Sequence, residues 1–124
     1  MSAPTCWPIH AFVTHPRPHL DELSAIWAVQ RFGLEKYPGA DRAEIEYFDP
    51  QQHLDVRSEE EWLGDGYLFI GVGGGRYDDH PHERFPHDCA LTLVLNDLGK
   101  LEDPALQKIV HDVFTEDRKG SPCA

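Results

Sequence analysis

Long apolar runs are missing from this sequence. The longest unbroken one is Ala25 to Val29, and the apolar stretch Ala90 to Leu95 is interrupted by Thr92; both fall far short of the roughly 20 residues a membrane-spanning helix needs. The first residues carry no basic segment followed by an apolar one, so no secretory signal is expected. Cysteine is sparse. Cys6, Cys89 and Cys123 are widely spaced and form no C-x-x-C pair, which argues against a disulfide framework or a cysteine zinc site and predicts a reducing, cytoplasmic setting. Positive charge is also short, with 11 Lys and Arg against 22 Asp and Glu and a formal net charge of −11. An acidic surface repels polyanions, and the basic residues form no stripe, so no long nucleic-acid groove is expected. A Gly-Lys-Ser/Thr phosphate loop, a nucleophile elbow and an H-E-x-x-H helix are likewise absent.

What is present fits one domain. The 124 residues suffice for a single core, so residues 1–124 are expected to form one α/β unit, with 1–8 and 119–124 as loose tails. Ile9 to Thr14 reads as a first strand, closed by the turn His15-Pro16-Arg17-Pro18. Leu20, Leu23, Ile26 and Trp27 mark a helix from about His19 to Tyr37, stopped by Pro38-Gly39. Glu44 to Phe48 alternates as a second strand. Ser58 to Glu61 is a capping-box pattern. Tyr67 to Val72 reads as the most buried strand, broken by Gly73-Gly74-Gly75. Cys89 to Leu98 is an apolar helix ending at Gly99, and Asp103-Pro104 opens a last helix to about Phe114. The order predicts a small three-layer domain, with a short, mainly parallel sheet of about three strands covered by helices.

Histidine is plentiful, with eight in the chain. Open parallel sheets bind ligands beyond the carboxyl ends of their strands, and each expected strand delivers metal-type side chains there. The first leads to His15, His19 and Asp21, the second to Asp49, and the third to Asp78, Asp79, His80 and His82. Taken singly, each has an ordinary reading: His15 as a backbone cap, Asp21 as a helix N-terminal acid, Asp49 as a turn residue. Their convergence on one edge is the argument for a metal site. Imidazole and carboxylate donors suit manganese, iron(II) or zinc, with magnesium at an oxygen-rich position. Gly74 and Gly75 would let backbone amides approach a phosphate.

The stretch Thr14-His15-Pro16-Arg17-Pro18-His19-Leu20-Asp21-Glu22-Leu23, with Val72-Gly73-Gly74 and Arg76-Tyr77-Asp78-Asp79-His80, resembles the Myg-type branch of the DHH phosphoesterase superfamily. That family has a T-H-x-x-x-x-H-x-D-E segment, a V-G-G-x-Y-D stretch and an R-Y-D-H-H signature. The resemblance spans roughly residues 9 to 120 and includes a faint match of Glu116-Asp117 with Gly120 to a D-N-G segment. It implies a manganese-dependent phosphoesterase with one or two ions, held by His15, His19, Asp21, Asp78 and His80. Two departures stand out. Asp79 replaces the signature's middle histidine. Gly71 stands where the family places a metal-bridging aspartate, so a second ion would need Asp49 or Asp79 as its bridge. On this resemblance the sequence is expected to cover the family's first domain and not the second, which closes over substrate.

The expected function is hydrolysis of a phosphomonoester or phosphodiester, with a nucleotide or short oligonucleotide as substrate. Water activated by the metal would attack. His80 or His82 would contact the phosphate or protonate the leaving oxygen, and Arg17 or Arg76 would offset its charge. The alternative is a catalytically degenerate domain that binds metal, nucleotide or a protein partner without turnover. A third reading is an interaction module with incidental histidines, in which Trp7 and Trp62 serve an interface or the core. A homodimer would cover the sheet's open edges.

Overall fold

The computed structural model describes residues 6–49, 58–73, 75–78 and 88–118. Among them the chain forms β1 (Ala11–Thr14), α1 (Leu20–Phe32), a 3-10 turn (Ala40–Arg42), β2 (Glu44–Tyr47), α2 (Glu59–Gly64), β3 (Tyr67–Phe69), α3 (Ala90–Asp97), a second 3-10 turn (Pro104–Leu106) and α4 (Gln107–Arg118). The strands make one parallel sheet in the order β2-β1-β3. Phe12 pairs with Ile45 and Leu68, and Val13 with Glu46 and Phe69. The small α/β domain expected from the sequence is the one observed.

Strand alternation sorts the core into two layers. Phe12, Leu68 and Ile70 join Ala25, Ile26 and Val29 of α1, Leu91, Val94 and Leu95 of α3, and Val113 of α4. Val13, Phe69 and Val72 instead pack with Trp62 of α2. One sheet face therefore carries α1, α3 and α4, and the other carries α2. Each large side chain buried this way stabilises the fold by about 1.5–3 kcal/mol. Trp62 belongs to the core, and Trp7 is half-buried against it. The central strand β1 is wholly buried, while edge strand β2 leaves Ile45 and Tyr47 exposed.

Element ends follow local chemistry. α1 stops at Phe32, five residues short of the expected end. Gly33 follows, and its N–H bonds the Val29 carbonyl at 2.8 Å, so glycine ends the helix before Pro38 is reached. α2 opens on the expected capping box: Ser58 Oγ accepts the Glu61 N–H at 3.2 Å, and Glu61 Oε1 accepts the Ser58 N–H at 3.1 Å. α3 closes through Gly99 at φ +71°, with the Lys100 N–H bonding the Leu95 carbonyl at 2.8 Å. β3 ends at Phe69 rather than Val72. Ile70 still donates to the Val13 carbonyl at 2.8 Å, but Gly71 turns away and donates to the Tyr77 carbonyl at 2.9 Å.

Candidate functional site

The carboxyl ends of β1 and β3 lie side by side. The chain leaves β1 for β2 on one flank and reaches β3 on the other. Such a switch point is where open α/β sheets hold ligands. The buried Thr14 hydroxyl ties the two ends together by donating to the Ile70 carbonyl at 2.9 Å.

Beyond Thr14 the loop of residues 15–18 leads to His19, which sits at the N-cap of α1. The His15 and His19 rings stand 6.4 Å apart between centroids, tilted by 44°. Both are half-buried. Glu22, one turn into α1, is buried, and its Oε1 accepts the His19 N–H at 3.1 Å. The same oxygen lies 3.5 Å from His19 Nδ1. The two residues form a capping-box pair: Glu22 accepts the His19 N–H, and the His19 side chain faces the Glu22 backbone N–H without closing a cap hydrogen bond to it. Gly71, with φ +72°, makes this possible: a Cβ there would stand 2.8 Å from Glu22 Cγ. The bare end of β3 and the buried carboxylate of α1 are thus one feature. Glu22 was not among the expected ligands. Its signal was the three-residue spacing from His19.

Asp21 points elsewhere. Its Oδ2 accepts the Ala90 N–H at 2.8 Å and its Oδ1 accepts the Leu91 N–H at 2.9 Å. The residue taken as a metal ligand on sequence therefore caps the first turn of α3. Burial raises its pKa to about 6, with the Glu22 charge adding to the rise, although the two amides work the other way. Cys89, beside it, is a buried free thiol whose pKa is also pushed up, first by burial and then by the Asp21 charge.

Asp49 is exposed and follows Phe48, whose N–H bonds the Thr14 carbonyl at 2.7 Å. It leaves the sheet on the same edge as His15. Asp78 is buried, and its N–H bonds the Gly75 carbonyl at 3.2 Å. Arg17 is exposed. Arg76, assigned to substrate on sequence, is engaged within the fold: its backbone N–H donates to Glu59 Oε2 at 2.7 Å, and its Nε lies 3.4 Å from Glu59 Oε1. Gly75 leaves room for that carboxylate. The anion that meets this glycine turn is the protein's own Glu59. Gly74, Asp79, His80 and His82 lie outside the described residues.

A polar strap holds Tyr77. Tyr77 O–H donates to Asp97 Oδ2, and Lys36 Nζ reaches the same oxygen at 2.6 Å. The Tyr37 hydroxyl then donates to the Tyr77 oxygen at 2.7 Å. Burial, followed by the Tyr37 and Asp97 oxygens, pushes the Tyr77 pKa up. The Asp97 pKa is held down: burial opposes its charge, but hydrogen bonds from Lys36 and Tyr77 outweigh it.

Comparison with family models, known proteins and solved structures finds no match to this chain. Two imidazoles and a carboxylate are nitrogen and oxygen donors of the kind first-row divalent cations accept. Among the described residues, no three ligand-type side chains converge on one ion position. No helix among them is long and apolar enough to cross a membrane.

Proposed function

We propose that this domain is a metal-dependent phosphoesterase of the DHH type, hydrolysing a phosphomonoester or phosphodiester of a nucleotide or short oligonucleotide. The observation that supports it is the pairing of His15 and His19, 6.4 Å apart at the β1–β3 switch point. In this reading His15 and His19 hold the cation, manganese by preference, with Asp78, Asp79 and His80 assigned to it on sequence. A bound divalent cation acidifies water and offsets phosphate charge. Arg17 is exposed beside the two histidines in sequence and meets the substrate's negative charge. His80 or His82 steadies the phosphate or returns a proton to the leaving oxygen. The setting is cytoplasmic, and a homodimer is consistent with the open β2 edge.

Metal analysis of untagged protein, followed by manganese-stimulated hydrolysis of bis-p-nitrophenyl phosphate, tests the proposal. His15→Ala and His80→Ala are each expected to lower turnover about 100-fold or more. Protein that binds no divalent cation would end this reading.

A second reading has its own observation. Both oxygens of Asp21 are engaged by α3 amides, and Gly71 carries no carboxylate. A domain that binds one ion, a nucleotide or a protein partner without turnover accounts for both. Stoichiometric metal binding with no hydrolysis would select it.

A further inference from the structure

We propose that Glu22 is a positioning residue, whose buried carboxylate fixes the ring of His19 in its Nδ1–H tautomer and leaves Nε2 as the free donor at the switch point. Nδ1 lies 3.5 Å from Glu22 Oε1; the Glu22 backbone N–H also faces the ring but makes no cap hydrogen bond to it, so the full charge decides, attracting a proton at Nδ1 and repelling a lone pair there. Nδ1 is the ring nitrogen paired with the carboxylate, which leaves Nε2 as the other donor. The His19 side chain is 40% exposed while Glu22 is 3% exposed. The carboxylate is thus shielded from solvent while the imidazole keeps access to it. Histidine ligands ordinarily have their second nitrogen oriented by such a group.

Three features hold Glu22 in this place. It accepts the His19 backbone N–H at 3.1 Å, which fixes its carboxylate against the residue it serves. It belongs to the first turn of α1, where negative charge is favoured. And Gly71 gives it room, because a Cβ at that position would stand 2.8 Å from Glu22 Cγ, on a backbone with φ +72° that side chains rarely adopt. The glycine at the end of β3 is therefore part of the histidine's setting. The tautomer is a property of the metal-free protein. Only its use in ligation rests on the metal-binding reading above.

Long-range nitrogen–proton NMR on the metal-free protein tests the inference, at about pH 8.5, well above the ordinary histidine pKa of about 6.5. Wild-type His19 is expected to show an Nδ1 proton and a bare Nε2, the reverse of the preference of free histidine. Glu22→Gln keeps an oxygen for the His19 N–H but removes the charge, and should return His19 to the free pattern. Gly71→Ala should do the same by displacing Glu22. Backbone amide spectra show whether each variant keeps the fold. If Gly71→Ala does not fold, Glu22→Gln still decides. In titrations with manganese alone, Glu22→Gln should bind about 10–100-fold more weakly. A wild-type His19 protonated at Nε2, or a pattern unchanged in Glu22→Gln, overturns the proposal. A tautomer that shifts as expected while neither protein binds manganese upholds the positioning role and removes the metal reading instead.

Discussion

At the scale of single residues, Tyr77 shows how a side chain can be committed to structure while standing in a functional-looking motif. It lies between Arg76 and Asp78 in the stretch that resembles a metal signature. Its hydroxyl donates to Asp97 and receives the Tyr37 proton. Tyr77→Phe removes both links and leaves the buried Tyr37 hydroxyl without its acceptor. The expected loss is about 1–3 kcal/mol in urea unfolding. Tyr37→Phe removes one donor and the hydroxyl that meets the half-buried Arg76, but leaves Tyr77 bonded to Asp97, so it should cost less. Equal effects would show that the hydroxyl chain is not what holds Tyr77. None of this could be read locally, because Tyr37 and Tyr77 are 40 residues apart in sequence and meet only through tertiary packing. His15 and His19 were legible for the opposite reason. They flank one short turn after a strong strand pattern, so local chemistry alone brings them together.

At the scale of elements, α1 and α3 are joined by a charge. Asp21 lies in the first turn of its own helix but spends its oxygens on the start of another, 69 residues on to Ala90. Sequence shows the acid and its position; it does not show the partner. Burial lifts the Asp21 pKa to about 6, against an unfolded value of about 3.9. Between those values the folded state keeps a proton that the unfolded state has lost. Stability from this group is therefore full below about pH 4 and falls as pH rises through about 6, by up to about 3 kcal/mol. Asp21→Asn cannot ionise, and its amide nitrogen places a donor against one of the two backbone donors. It should be less stable than the wild type at about pH 4.5, and the gap should narrow by about pH 7.5 as the wild type loses its share. Urea midpoints of both proteins across that range provide the check. Parallel curves with a constant offset would mean that Asp21 does not titrate there.

At the scale of the whole molecule, the β-α-β direction and the layered core were legible from alternation and helix spacing. The strand order was not, because no residue pattern says on which flank of β1 the third strand will dock. That docking is what creates the switch point and sets Gly71 against Glu22. It also bears on what an ion would do to an acidic chain. A net charge of −11 resists compaction, so any divalent cation should raise the melting temperature somewhat by screening. A specific site adds to this by mass action, about 2.7 kcal/mol at a free concentration of 100 Kd, or roughly 10 °C for a domain of this size. Calcium, which prefers oxygen cages, reports the screening part alone. Manganese should therefore raise the wild-type melting temperature well beyond an equal concentration of calcium. In a His15→Ala, His19→Ala double variant the two cations should act alike, since the remaining acidic surface does not distinguish them. Scanning calorimetry with both ions measures the difference directly. Equal shifts in the wild type would assign the whole effect to the surface charge and leave the two histidines without a metal-binding role.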